Sequence, residues 1–171
     1  MITVSIGGND ITSCVNTPDP AACVGQRMPE VEARIKIIME RLRAAAGAKP
    51  QIVGITYPDV ILGLYTGGSD EEKGLASASV FAFRDFINPA LKRAYESQAG
   101  IFVDVTANTD AYLPFEQMTN FPPYGDIPVA VATVCRITYY CERRDIHAKP
   151  EGYLIIAQLI ADALPKAKKK K

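Results

Sequence analysis

Two short segments near opposite ends of the chain carry residue types that act together in acyl transfer. Gly7-Gly8-Asn9-Asp10 follows an apolar run, and Asp145-Ile146-His147 precedes a periodic apolar stretch. His147 is the only histidine, and histidine is the side chain whose unperturbed pKa lies nearest neutrality. A carboxylate two residues before it reaches one ring nitrogen if the segment turns. That contact would orient the imidazole and leave the other nitrogen free to accept a proton. Asn9 offers a carboxamide N–H to an oxygen that is gaining negative charge. The glycines before it let the backbone bend sharply and come close to a ligand. Each segment also has an ordinary reading: a solvent-exposed histidine at a helix start, and a Gly-Asn turn with Asp10 as cap or brace.

The same chemistry needs a nucleophile. Ser69 is a candidate only through its exposed, glycine-rich setting, Gly67-Gly68-Ser69-Asp70. Ser5 falls inside the first apolar run, facing the core or a helix layer. Ser13, Ser77, Ser79 and Ser97 have no motif around them, and a Gly-x-Ser-x-Gly elbow is absent. The nucleophile is left unassigned.

These residues must be held by regular elements. Residues 2 to 6, 52 to 56 and 101 to 105 are short apolar runs ended by turn residues, which reads as buried strands. Val31, Ile35, Ile38 and Leu42 recur at helical spacing after Pro29, which suits a first turn, and Gly47 stops the run. Residues 76 to 98 form a second amphipathic stretch with Pro89 as a kink or break. A third begins near Pro150, with Tyr153, Ile156, Ile160 and Leu164 on one face. Residues 11 to 28, 59 to 74 and 107 to 144 read as loops. Apolar strands alternating with amphipathic helices predict an α/β fold, a parallel sheet covered on both faces. Ligands of such sheets bind beyond the carboxyl ends of the strands, where Asn9, residues 57 to 59 and residues 106 to 110 all fall.

The length of 171 residues fits one domain, residues 1 to 165, followed by a basic tail at 166 to 171. Acidic and basic residues balance at 19 each, but five lysines crowd that tail. Without aromatic or amphipathic company the tail reads as solvated, which argues against a nucleic-acid partner. No apolar run approaches the roughly 20 residues of a transmembrane helix. The four cysteines form two local pairs, Cys14 with Cys23 and Cys135 with Cys141. Neither has zinc-ribbon spacing, and a single histidine is too few for a mixed site, so no metal or cofactor is expected. Two short-loop disulfides are the better reading, which implies an oxidising compartment. Residues 1 to 6 lack the basic start of a signal peptide. The expectation that reconciles the two is the back portion of a longer secreted protein.

Taken together, residues 5 to 10 and residues 145 to 153 resemble two ordered blocks of the SGNH (GDSL-type) hydrolases. The likeness extends to residues 52 to 58 and to the cysteine pairs, which resemble those of secreted actinobacterial members. It implies a flavodoxin-like three-layer α/β/α fold, a secreted or cell-envelope location and hydrolysis of small acyl esters. It also implies His147 as base, Asp145 as its orienting carboxylate and Asn9 as oxyanion donor. The family more often spaces its carboxylate and histidine by two residues, where this chain has Arg144. The family's Gly-Asp-Ser nucleophile block and the first two strands are missing from this chain. The Ile2 to Ile6 strand would then lie at an open edge, which invites self-association. Phe81, Tyr112, Phe115, Phe121 and Tyr124 serve either as walls of an acyl site or as core. The competing expectation is a non-catalytic remnant that binds an ester, glycan or lipid, or pairs through its edge. A dinucleotide-binding fold is disfavoured, because no Gly-x-Gly-x-x-Gly follows a strand.

Overall fold

The computed structural model describes residues 1–165; the lysines of the tail lie outside the described residues. Strands β1 (Ile2–Val4), β2 (Ile52–Ile55) and β3 (Ile101–Val103) form a parallel sheet in the order β1-β2-β3. Ile2 lies opposite Ile52, and Val53 opposite Ile101. Side chains alternate across the sheet, so Ile52 and Gly54 face one side and Val53 and Ile55 the other. The first side packs on helices α2 (Pro20–Ala46) and α4 (Asn88–Glu96) through Val31, Ile35, Met39, Leu91 and Tyr95. The second side packs on α7 (Pro150–Ala163) through Ile156, Leu159 and Ile160. The architecture is thus mixed α/β with a small three-stranded parallel sheet. β1 is an edge strand; Thr3 within it and Ser5 just after it are exposed.

Several elements depart from expectation, each for a local reason. Residues 11 to 28 are not a loop. α1 (Gly8–Ile11) and a 3-10 turn (Thr12–Asn16) lead into α2, which starts at Pro20 with Asp19 accepting the Ala22 N–H. Pro20, not Pro29, occupies the first turn, while Pro29 sits inside the helix. Met39 takes the buried place expected of Ile38, which is exposed. Residues 59 to 74 contain a 3-10 segment (Val60–Gly67) and the start of α3 (Asp70–Ala82). The predicted break near Pro89 is a π turn (Phe83–Ile87) between α3 and α4. Such a bulge lets the chain continue past a proline whose missing N–H would otherwise orphan a carbonyl.

Residues 107 to 144 are the largest correction. They hold an antiparallel hairpin, β4 (Met118–Asn120) with β5 (Asp126–Pro128), then α5 (Val129–Ile137) and α6 (Tyr140–Arg143). α5 is buried over nearly its whole circumference, and its nine residues, with Arg136 the one charged side chain, are too short a run to stand out from an irregular stretch. Phe115, Phe121, Tyr124 and Tyr112 pack against it and Leu62 in a second apolar cluster. Phe81 is exposed and meets Phe86 edge to face. Ile156 and Ile160 of α7, and Leu164 just after it, face the sheet as expected, but Tyr153 points to solvent. Both cysteine pairs are disulfides, Cys14–Cys23 and Cys135–Cys141.

Candidate functional site

The site begins with two glycines. Gly7 has φ 102° and caps α1 in a left-handed conformation that L side chains rarely adopt. A Cβ there would also press on Ile35 and Val31. The turn they make is tied down by two phenols. The Tyr57 hydroxyl accepts the Gly8 N–H at 3.4 Å. The Tyr95 hydroxyl accepts the Ile6 N–H at 3.3 Å and donates to the Ile6 carbonyl at 3.2 Å. Tyr95 reaches this point because Gly54 leaves room: a Cβ on Gly54 would lie 2.0 Å from the ring. Asn9 follows on α1, exposed, and among the described residues its carboxamide has no hydrogen-bond partner. Asp10 is a brace, 3.6 Å from Arg34, and does not cap α1.

At the other end, the Asp145 carboxylate lies 2.5 Å from His147 Nδ1 and accepts the His147 backbone N–H at 2.9 Å. The two-residue spacing therefore suffices, because the side chain folds back on the turn. The His147 amide first, and then its ring, hold the Asp145 carboxyl below its ordinary range. Arg144 adopts φ 55° and pairs with Glu72 of α3 at 2.9 Å. The stretch after it is pinned to the end of α5. Tyr139 N–H donates to the His147 carbonyl, Lys149 N–H donates to the Ile137 carbonyl, and Thr138 bridges Ala148. Lys149 Nζ donates to the Cys135 carbonyl at 3.0 Å and pairs with Glu142. The imidazole is 71% exposed, and among the described residues its Nε2 has no hydrogen-bond partner.

Asn9 and Ile146 line one cavity of about 540 Å³ at the carboxyl ends of β1 and β2. His147 follows Ile146 directly, about 3.8 Å away along the backbone. The lining is mostly apolar: Ile11, Val24, Ile61, Leu75, Phe83 and Ile87 contribute. Of the aromatics named as walls of an acyl site, none lines it; Phe83 and Tyr57 do. The disulfide sulfur side chain of Cys14 forms part of the wall.

The serines fall out differently from expectation. Ser69 caps α3, accepting the Glu72 N–H at 3.2 Å and donating to its carboxylate, and it does not line the cavity. Ser5 is exposed at the cavity, not turned to the core, and Ser79 lines it too. Among the described residues no serine hydroxyl is hydrogen-bonded to His147.

Behind the cavity wall lies a buried carboxylic acid. Asp59, with no solvent exposure, accepts the Ile61 N–H and lies 2.7 Å from Ser79 Oγ. Burial pushes its pKa up to about 7, against the lowering effect of these hydrogen bonds. Tyr57, Asp59, Ser79 and Tyr95 carry no local motif. The signals in the sequence were the place of residues 57 to 59 at the carboxyl end of a predicted strand and, for Tyr95, Gly54 inside that strand, a mark of close approach by another group. Among the described residues no cluster of three His, Cys, Asp or Glu side chains could hold a metal, and no helix is long and apolar enough to cross a membrane. No family model, curated protein or solved structure matches the chain.

Proposed function

We propose that the chain is an acyl-ester hydrolase of the SGNH type. The observation that carries this reading is the cavity that Asn9 lines together with Ile146, the residue between Asp145 and His147; neither Asp145 nor His147 lines it. In this reading the acyl chain lies along the apolar wall. Asp145 accepts the His147 Nδ1–H and fixes the tautomer, so Nε2 is the proton acceptor. Asn9 donates to the oxyanion. With no serine hydroxyl in place, the nucleophile is water. Nε2 takes a water proton as the oxygen bonds to the acyl carbon. It then returns a proton to the departing alkoxide, giving acid and alcohol. A flavodoxin-like three-layer fold without its first two strands would retain this strand order, with helices on both faces and β1 at the edge. Secretion is supported by the two disulfides.

The unpartnered Nε2 also favours a second reading, a non-catalytic module that binds an apolar ester or lipid. One assay separates the two. The full chain should cleave p-nitrophenyl butyrate above background, and His147→Ala should lower that excess by about 10²-fold. Equal rates for the two proteins would leave the binding module.

A further inference from the structure

Asp59 and Ser79 join the two walls of the cavity. Asp59 precedes the 3-10 segment that supplies Val60 and Ile61, and Ser79 lies on α3 with Leu75 and Ala78. Ser79 Oγ sits 2.7 Å from Asp59 Oδ2 and 2.8 Å from the Ala76 carbonyl. A hydroxyl has one proton and cannot donate fully to both acceptors. A neutral Asp59 removes the conflict: its own O–H donates to Ser79 Oγ, and Ser79 donates to Ala76. An ionised Asp59 would take the serine proton and would be a charge with no cationic partner among the described residues. Full burial makes that charge costly.

We propose that this cavity binds an uncharged alkyl or aryl chain in a proton-linked manner, with the Asp59–Ser79 contact as the latch between its walls. The proposal rests on the reading of the cavity as the ligand site, and it names how that site is regulated. Ionisation favours states in which water reaches Asp59, and those are states in which the 3-10 segment and α3 separate. An apolar ligand packed on both walls excludes that water and so prefers the neutral acid. By reciprocity, ligand raises the affinity of Asp59 for its proton. Folding shows the same sign. The folded acid titrates at about 7 against an ordinary 3.8. The stability it contributes is therefore full below about 4 and is lost as pH rises through about 7.

The other groups that bear on Asp59 are few. From α3 it meets Ser79; from the 3-10 segment, the Ile61 and Leu62 amides. Tyr112 lies near enough to feel its charge, but burial and Asp104 push that phenol well above the working range. Asp10 and Tyr57 line the cavity, and Asp145 and His147 flank Ile146.

The test is fluorescence titration of the full chain with N-phenyl-1-naphthylamine, a neutral dye, between pH 5.5 and 8.5. Affinity should fall with rising pH by about fivefold or more. Asp59→Asn should abolish the fall while keeping the tight binding, because its amide donates to Ser79 as the neutral acid does. Ser79→Ala removes a partner of the carboxylate and should move the step to higher pH. His147→Ala should keep the step. A pH-independent affinity, a step that survives Asp59→Asn, a step lost with His147, or no dye binding at any pH would each overturn the proposal. Turnover is not read in this experiment, so an inactive chain with a pH step would defeat only the hydrolase reading.

Discussion

The turn that carries Asn9 and the loop that carries His147 are held in opposite ways. The amide turn depends on partners far along the chain: Tyr95 is 89 residues from Ile6, and Tyr57 is 49 from Gly8. Its anchor is buried, and it works only because Gly54 lacks a side chain. The imidazole loop depends on neighbours. Asp145 is two residues away, Tyr139 and Ile137 are within about a dozen, and the Cys135–Cys141 disulfide closes the same neighbourhood. Its anchors mix exposure and burial: Tyr139 is half-buried, while Cys135, Ile137 and Thr138 are buried. A turn fixed by the core and a loop fixed by its own neighbourhood should fail under different insults.

The largest expected effect is on the core-fixed side. Gly54→Ala would drive a methyl into the Tyr95 ring, and thermal or denaturant unfolding should show a loss of about 3 kcal/mol. Amide exchange should rise at Ile6 and Gly8 before it rises at Lys149. Equal loosening at both ends would break the contrast. Tyr95→Phe keeps the ring and removes the hydroxyl, leaving the Ile6 N–H and carbonyl without that partner. It should cost about 1–3 kcal/mol, with resonance shifts centred on residues 6 to 9. On the self-fixed side, replacing Cys135 and Cys141 together by alanine should cost about 2 kcal/mol, as expected for so short a closed loop. Exchange should then rise at Tyr139 and Lys149 with little change at Ile6. The smallest effect concerns Arg143, which lies 4.0 Å from the centroid of Tyr139. Tyr139→Leu removes that cation–π contact with the exposed Arg143 and should cost about 0.5–1 kcal/mol. A larger loss would mean that Tyr139 supports the loop through packing as well.

The same contrast explains what could be read before the fold was known. The Asp145–His147 contact is local and was legible from two residue types at short range. The sheet strands were legible because β2 and β3 are apolar runs ended by turn residues, and α7 because its sheet face repeats at helical spacing. Pro89 announced a discontinuity, though not that it would be a π turn. The hairpin escaped because its strands are three residues long, too short for an alternation to register. α5 escaped because it is a short, almost wholly buried run of nine residues that periodicity does not separate from a strand or loop. The start of α2 was encoded by Asp19-Pro20, an N-cap followed by a proline at the first position, but Pro29 offered the same cue closer to the periodic stretch. Ser69, conspicuous among glycines, proved to be a helix cap. Asp59 stood in a region read as loop, and Ser79 in an amphipathic stretch with no motif around it. Their meeting is a tertiary event that no local pattern records.

One half-cystine in the cavity wall has a consequence for where such a protein can work. Cys14 is bonded to Cys23 in the opening turns of α2, so the segment between them closes the floor over Val24. Cleaving that bridge would free this segment to swing away, and the hollow would lose a side. In a thiol-rich milieu the chain would keep its sheet while this side of the hollow came loose.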